Sequence, residues 1–238
     1  QLALFGWHRG NPCIERAVEK IGAIRIRTDL YAIPPEIARN YYVARHLKPA
    51  YCHIVTAPLI EGMGAEAQME GLSPGDVFRC YRAVTWSGDV LSDGLRRRMS
   101  ERWRTEIFEV GGLGDLNFYC VECSEHDGMH ACDDLFLIEI VDPKTKEVLP
   151  PGAEGVLVLT ALADEAVPAI RWWSEDICYL NPEPCRCGRT TTRIRYRGRQ
   201  IYQLQIAGRL LFPSQIAGSV EQIPEASHGI FQVIKYAA

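Results

Sequence analysis

From Pro12 to about Val110 the chain alternates helical with extended periodicity, and this restricts the fold more than any other feature. A sequence that moves from apolar spacings of three and four to strand alternation and back forms an α/β sheet with crossover helices. Pro12 to Val18 opens an amphipathic turn, and residues 22–28 follow with strand alternation. Pro34 and Pro35 stand where a first helical turn tolerates proline, and EIARNYYVARHL carries the helical spacing to Leu47. A strand over 50–57, a helix over 60–70 and a strand over 77–86 are expected next. A basic helix opened by Ser92, with Asp93 in its first turn, then leads to a strand, TEIFEV, that closes the unit at Val110.

Beyond Val110 the pattern becomes hairpin-rich. Apolar strands are expected over 136–141 and 155–160, separated by Asp142-Pro143 and Pro150-Pro151-Gly152. FPSQIAGSVEQI reads as a helix with Pro213 near its start and Ser214 as a second capping option. Adjacent Trp172 and Trp173 point to opposite faces of a strand. The alternating Arg193, Arg195, Arg197 and Arg199 place cations on one face, for which solvation is the ordinary explanation.

A chain of 238 residues that is 47 % hydrophobic can bury an ordinary core, as one large domain or a domain plus a fragment. With 26 basic against 30 acidic side chains, the net charge of −4 offers no general attraction to phosphate backbones, so nucleic acid is not an expected partner. No apolar run reaches the roughly 18 residues needed to span a bilayer, and no signal segment opens the chain. The expectation is a cytoplasmic protein without a membrane partner. Nine cysteines fit reduced thiols and metal ligands better than a disulfide framework. The apolar opening QLALFGWHRG, without an initiator Met, and the strand-like close IFQVIKYAA suggest an internal segment of a longer polypeptide.

Cys185 and Cys187 form a Cys-x-Cys pair, and upstream Cys123 and His130 lie seven apart. Both pairs flank the hairpin-rich region. Three thiolates and an imidazole make a closed tetrahedral set suited to zinc, which would tie the 120s loop to the 180s loop and leave no position open for chemistry. The alternatives are unrelated reduced thiols beside a surface histidine, or substitution by the nearby Cys120, His126 or Cys132. A thioredoxin-type redox role is disfavoured by the one-residue spacer.

The order Glu122-Cys123, His130, EIVDP, the proline-rich turn, GVLVL, EAVPAIRW, PCRCGRT and FPSQI resembles the phenylacetate-CoA ligase branch of the adenylate-forming enzymes. The match runs closely over 122–216 and more loosely over 4–121. The resemblance implies a partial adenylate-forming fold: an α/β sheet unit plus a β-rich subdomain over 1–198, part of the large adenylating domain. Residues 199–238 would then be the hinge and the start of the small mobile domain. It implies a zinc on Cys123, His130, Cys185 and Cys187. It also implies ATP-dependent activation of an aromatic or aryl-acetic carboxylate to an acyl-adenylate, with magnesium, AMP as product and transfer to CoA.

Residue by residue, Ser87, Gly88 and Asp89 of TWSGD resemble the turn that lies against adenine. Gly111, Gly112, Leu113, Gly114 and Asp115 resemble the nucleotide turn whose acid, here Asp115, is the catalytic magnesium-holding carboxylate. Asp176 resembles the acceptor for the ribose hydroxyls, a task suited to a carboxylate. Arg199 resembles the hinge arginine that reaches the nucleotide. Asp89 and Asp115 could equally be turn residues after glycine, and Asp176 a solvated strand-edge charge.

The sequence also departs from the pattern. The Ser/Thr/Gly phosphate loop is absent and would lie before Gln1, and the late catalytic lysine has no counterpart. Gly111 and Gly114 stand where the branch has an aromatic residue and a hydroxyl, and Ile201 where it has a hinge aspartate. The segment is therefore not expected to turn over by itself. Two other readings remain: an adenylating enzyme that passes the acyl group to an amine or a carrier-protein thiol, and a non-catalytic zinc-braced binding module. A homodimer is among the assemblies this reading allows. For the acyl group, Trp86 and residues 53–58 are the first places to look.

Overall fold

The computed structural model describes residues 2–6, 11–29, 31–54, 56–88, 91–114, 116–165, 168–206, 208–220 and 223. They divide into two compact units, one holding residues up to Leu91 together with Arg96–His126, the other Ser92–Leu95 together with the residues from Asp127 on.

The first unit is built in the alternating order read from the sequence: β1 (Leu2–Gly6), α1 (Asn11–Lys20), β2 (Ile24–Thr28), α2 (Pro34–Leu47), β3 (Tyr51–Ile54), α3 (Ala57–Met69), α4 (Pro74–Phe78), β4 (Ala83–Trp86), α5 (Asp93–Trp103), β5 (Ile107–Leu113) and β6 (Asn117–Glu122). Strand order is β2-β1-β3-β4-β5-β6, parallel as far as β5, with β6 antiparallel to β5. Two expectations need correction. The segment 77–86 is not one strand, because Pro74, tolerated at a helix start, opens α4 and only Ala83–Trp86 is extended. TEIFEV does not end the unit at Val110, because β5 continues to Leu113 and pairs with β6.

The core of this unit comes from one side of each helix. Val43 and Ala44 of α2 and Leu59, Ile60, Met63 and Ala67 of α3 are buried at the spacing of one helical face. Phe78 stacks on Trp103 with ring centroids 4.0 Å apart, so the short α4 and the end of α5 share an aromatic anchor. Buried Asn40 accepts from the Thr28 hydroxyl at 2.7 Å and donates to the Asp29 carbonyl at 2.9 Å, which fixes α2 against the end of β2.

The second unit contains β7 (Met129–Ala131), β8 (Phe136–Val141), β9 (Gly155–Ala161), β10 (Trp172–Asn181), β11 (Arg193–Arg199), a hairpin of β12 (Leu204–Ile206) and β13 (Arg209–Leu211), and α6 (Pro213–Val220). Strand order is β7-β11-β10-β9-β8, with β7, β11, β10, β9 and β8 antiparallel to their neighbours. Trp172 is exposed, whereas Trp173 packs on Val156, Ile177 and Phe212, as opposite strand faces require. Phe212 passes so near Gly198 that a Cβ there would sit 2.6 Å from its ring, and Gly198 has a φ of +148° that side chains rarely adopt. The Gln215 side chain accepts from the Phe212 N–H at 2.9 Å, and Ser214 donates to the Arg197 carbonyl at 3.1 Å, which seats the first turn of α6 on β11.

Candidate metal centre and nucleotide contacts

Cys123 follows β6 directly, His130 is the middle residue of β7, and Cys185 and Cys187 occupy the turn between β10 and β11. Their four ligand atoms all lie within 4.8 Å of one another. A zinc tetrahedron with Zn–S of about 2.3 Å has edges of roughly 3.8 Å, so three sulfurs and one nitrogen at this spacing fit that ion. His130 Nε2 is 3.3 Å from Cys187 Sγ, which aims that nitrogen at the thiolates. Of the alternative ligands nearby in the sequence, His126 is committed elsewhere: its ring faces Glu106 at 3.1 Å and Glu122 at 3.1 Å, beside Arg96.

The turn that carries the two close cysteines is shaped by Gly188. Its N–H donates to the Cys185 carbonyl at 3.0 Å, and its φ of +84° swings the next peptide back, so that the Arg189 N–H points at Cys187 Sγ from 3.5 Å. Arg193, only 2 % exposed, fixes the flanks. It donates to the Asp127 carbonyl at 2.9 Å and the Glu183 carbonyl at 2.9 Å, and pairs with the Asp127 carboxylate, which also receives Arg195. One buried guanidinium thus holds the segments that lead into His130 and into Cys185. Burial lowers the His130 pKa; the hydrogen bond with the Thr191 backbone opposes this and the nearby Arg189 and Arg193 charges reinforce it. A lowered value favours the neutral imidazole that a metal requires.

Asp176 and Arg199 are directly opposite each other in the β10–β11 ladder, with Arg199 Nε 3.4 Å from Asp176 Oδ1. The Tyr196 hydroxyl donates to the same carboxylate at 3.2 Å. The Asp176 N–H donates to Ser174 Oγ at 3.0 Å, while Arg199 Nη2 donates to the Ser174 carbonyl at 3.4 Å. At 6 % exposure Asp176 is not the solvated strand-edge charge that its sequence neighbours allowed. Burial raises its pKa, against the opposing effects of Arg199 and Tyr196. The arginine series is likewise no simple solvated face: Arg193 and Arg195 share Asp127, Arg197 pairs with Glu154 at 2.7 Å, and Arg199 with Asp176.

In the first unit, Ser87 and Gly88 form the loop after β4, at the carboxyl end of the parallel strands where open α/β sheets bind ligands. Gly111, Gly112 and Leu113 lie within β5 and not in a turn as the motif suggested; the turn begins at Gly114. The antiparallel ladder with β6 extends β5 past the expected boundary. A Cβ on Gly112 would stand 2.8 Å from the Phe118 ring, so glycine there lets that ring lean across β5 toward β3. It meets His53 edge-on at 6.0 Å, and His53 Nδ1 lies 2.7 Å from Thr85 Oγ1. Trp86 is a fully buried core residue, and Phe118, the cross-strand partner of Gly112, lies nearer the carboxyl end. Asp89 and Asp115 lie outside the described residues.

Sequence reasoning missed Thr191, Arg193, Ser174 and Tyr196. Thr191 had a signal in its place just after the Cys-x-Cys pair, and Arg193 was visible only as one of the alternating arginines.

The fold is that of the adenylate-forming ligases. A 2-hydroxyisobutyryl-CoA ligase, solved in a postadenylation state in complex with R3-HIB-AMP, superposes with a TM-score of 0.84 at 22 % identity, over 94 % of this chain and 48 % of that one. MatB from Rhodopseudomonas palustris, solved with ATP bound, gives 0.65 at 12 % identity over 94 % of this chain and 45 % of that one. In sequence, the chain is similar to phenylacetate-coenzyme A ligases. It is 33 % identical to that of Thermus thermophilus over 144 residues (58 % of this chain) and 33 % identical to that of Pseudomonas putida over 164 residues (64 % of this chain). It spans 32 % and 37 % of those two proteins. No protein-family model matches the chain. No helix among the described residues is long and apolar enough to cross a membrane.

Proposed function

We propose that this chain is part of an enzyme that activates an aromatic or aryl-acetic carboxylate with ATP and passes the acyl group to coenzyme A. The observation that carries the reading is the cross-strand pair of Asp176 and Arg199, two residues that the ligase resemblance assigns to one nucleotide and that stand 3.4 Å apart. In the reaction a carboxylate oxygen attacks the α-phosphorus of ATP and the bond to pyrophosphate breaks, giving an acyl-adenylate. A thiolate then attacks the acyl carbon and AMP leaves.

This chain's share is recognition. The carboxylate of Asp176 accepts from the ribose hydroxyls, oriented by Tyr196 and Arg199. The Arg199 side chain, 43 % exposed, has reach left for a phosphate oxygen. Ser87, Gly88 and Asp89, with Gly111 to Gly114, are the residues that the resemblance assigns to the purine and its turn. Magnesium would neutralise charge that develops on the phosphoryl oxygens, and Asp115 is the acid assigned to it. Zinc on Cys123, His130, Cys185 and Cys187 would be a closed structural site. Nine cysteines and a thiolate-rich ligand set fit a reducing, cytoplasmic setting.

The test is AMP binding by calorimetry, with pyrophosphate release by the protein at its native length against a panel of aryl acids. Asp176→Asn should weaken AMP about tenfold, the scale of a hydrogen bond to a charged group. Unchanged affinity removes Asp176 from the site. AMP binding with no pyrophosphate release for any acid favours the non-catalytic module, a reading that the exposed Ile201 in the hinge aspartate's place supports.

A further inference from the structure

We propose that Thr191 is the positioning residue of the metal centre: its hydroxyl holds the His130 imidazole in the tautomer that turns Nε2 toward the cysteines. The proposal rests on the zinc assignment above. An imidazole binds a metal through one nitrogen, and the hydrogen bond made by the other decides which nitrogen that is. Here Thr191 Oγ1 lies 3.1 Å from Nδ1, while Nε2 lies 3.3 Å from Cys187 Sγ. The Nδ1–H donates to the threonine oxygen, whose own proton is free to rotate elsewhere. The opposite tautomer would direct a proton from Nε2 at the sulfurs and abolish the lone pair that the ion needs.

The placement is dictated by strand register. The Ala131 N–H donates to the Thr192 carbonyl at 2.8 Å, and Arg193 is the cross-strand partner of His130. Thr191 is thereby carried to the ring as β7 and β11 pair. His130 is 2 % exposed, so bulk water cannot supply the acceptor in its place. The same short segment provides the outer contact of Cys187, the Arg189 N–H. Residues 185–191 therefore contribute two ligands together with the groups that orient a sulfur and the imidazole.

Thr191→Val keeps the shape and the backbone carbonyl but removes the hydroxyl acceptor, and Thr191→Ser keeps both acceptors and removes a methyl group. Zinc affinity, measured on the full chain by competition with a chromophoric chelator, should fall about 10–100-fold in Thr191→Val and stay near wild type in Thr191→Ser. The absorption bands of the cobalt-substituted protein should shift in the valine variant alone. If wild-type protein takes up no zinc, the metal assignment itself is overturned. If it binds one zinc and Thr191→Val binds it equally well, the backbone at Thr191 suffices and only the hydroxyl's role is lost. Equal weakening in both variants makes the residue a packing element and also overturns the proposal. Should the valine variant not fold, nitrogen-15 spectra of wild-type His130 decide: a protonated Nδ1 with metal on Nε2 supports the assignment, and metal on Nδ1 ends it.

Discussion

The two units hold their candidate site residues by different means. In the parallel strands of the first, positions at the carboxyl end are set by the backbone ladder and by space: Gly111 and Gly112 lie in β5, and the Phe118 ring occupies the volume that a side chain at Gly112 would need. In the antiparallel strands of the second, cross-strand pairing sets polar side chains face to face, the Asp176 carboxylate opposite Arg199 and Arg193 opposite the His130 imidazole. Glycines packed directly against a ring yield to steric insertion, whereas cross-strand charge pairs anchored on buried Arg193 and Asp176 yield to the loss of one member.

The strongest way to break that contrast is to remove a ligand. Cys185→Ser should abolish metal binding and lower thermal stability in the same step, because binding free energy at a structural zinc site, on the order of 10 kcal/mol in small zinc peptides, is folding free energy. A chelator should destabilise wild type to a similar degree and leave the variant unaffected; unchanged metal stoichiometry in the variant would break the assignment. Next comes Arg193→Met, which leaves the Asp127 carboxylate with Arg195 alone and two carbonyls without their donor. The Asp127 side chain is 44 % exposed and keeps Arg195, so the cost comes mainly from the two carbonyls, about 2 kcal/mol read from urea denaturation, and zinc affinity should fall with it. A loss within about 0.5 kcal/mol, the range of ordinary surface substitutions, would mean that the guanidinium organises nothing.

Much of this arrangement is legible in the amino-acid sequence, and the reason differs by region. Cysteine and histidine announce metal chemistry through residue type, so Cys123, His130, Cys185 and Cys187 could be grouped across long separations and are found together. The α/β alternation likewise located α2 (Pro34–Leu47) to the residue, since two prolines marked its start. Register is what sequence hides. The arginines of β11 read as a solvated stripe because their partners, Asp127, Glu154 and Asp176, sit on other segments that only strand pairing brings near. The early end assigned to β5 has the same origin: two glycines look like a turn until a partner strand supplies the hydrogen bonds that keep them extended.

Two glycine substitutions sharpen the steric half of the comparison. Gly198→Ala meets both the Phe212 ring at 2.6 Å and a φ of +148°, so it should cost about 3 kcal/mol and loosen α6, the upper end of overpacking. Gly112→Ala meets only the Phe118 ring, at 2.8 Å, and should cost about 1 kcal/mol as the ring swings aside. Circular dichroism melts rank the pair, and a reversed order would show that the first unit is the more tightly packed.

The smallest effect concerns Asp176, and its sign is informative. Burial raises this carboxyl above the ordinary range, with Arg199 and Tyr196 only partly opposing. The folded state therefore binds the proton more tightly than the unfolded state, and the contribution is full below the unfolded value of about 3.9 and lost as pH rises through the folded value. Stability of the wild type should thus decline with rising pH across that interval, and Asp176→Asn should lack this component of the slope. At neutral pH the variant should match wild type or exceed it by less than about 1 kcal/mol, since Arg199 is 43 % exposed and water can solvate it. A stability gain joined to weaker AMP binding is the signature of a carboxylate kept ionised in a buried place for its ligand. Identical pH profiles for variant and wild type would instead make Asp176 an ordinary member of the cross-strand ladder.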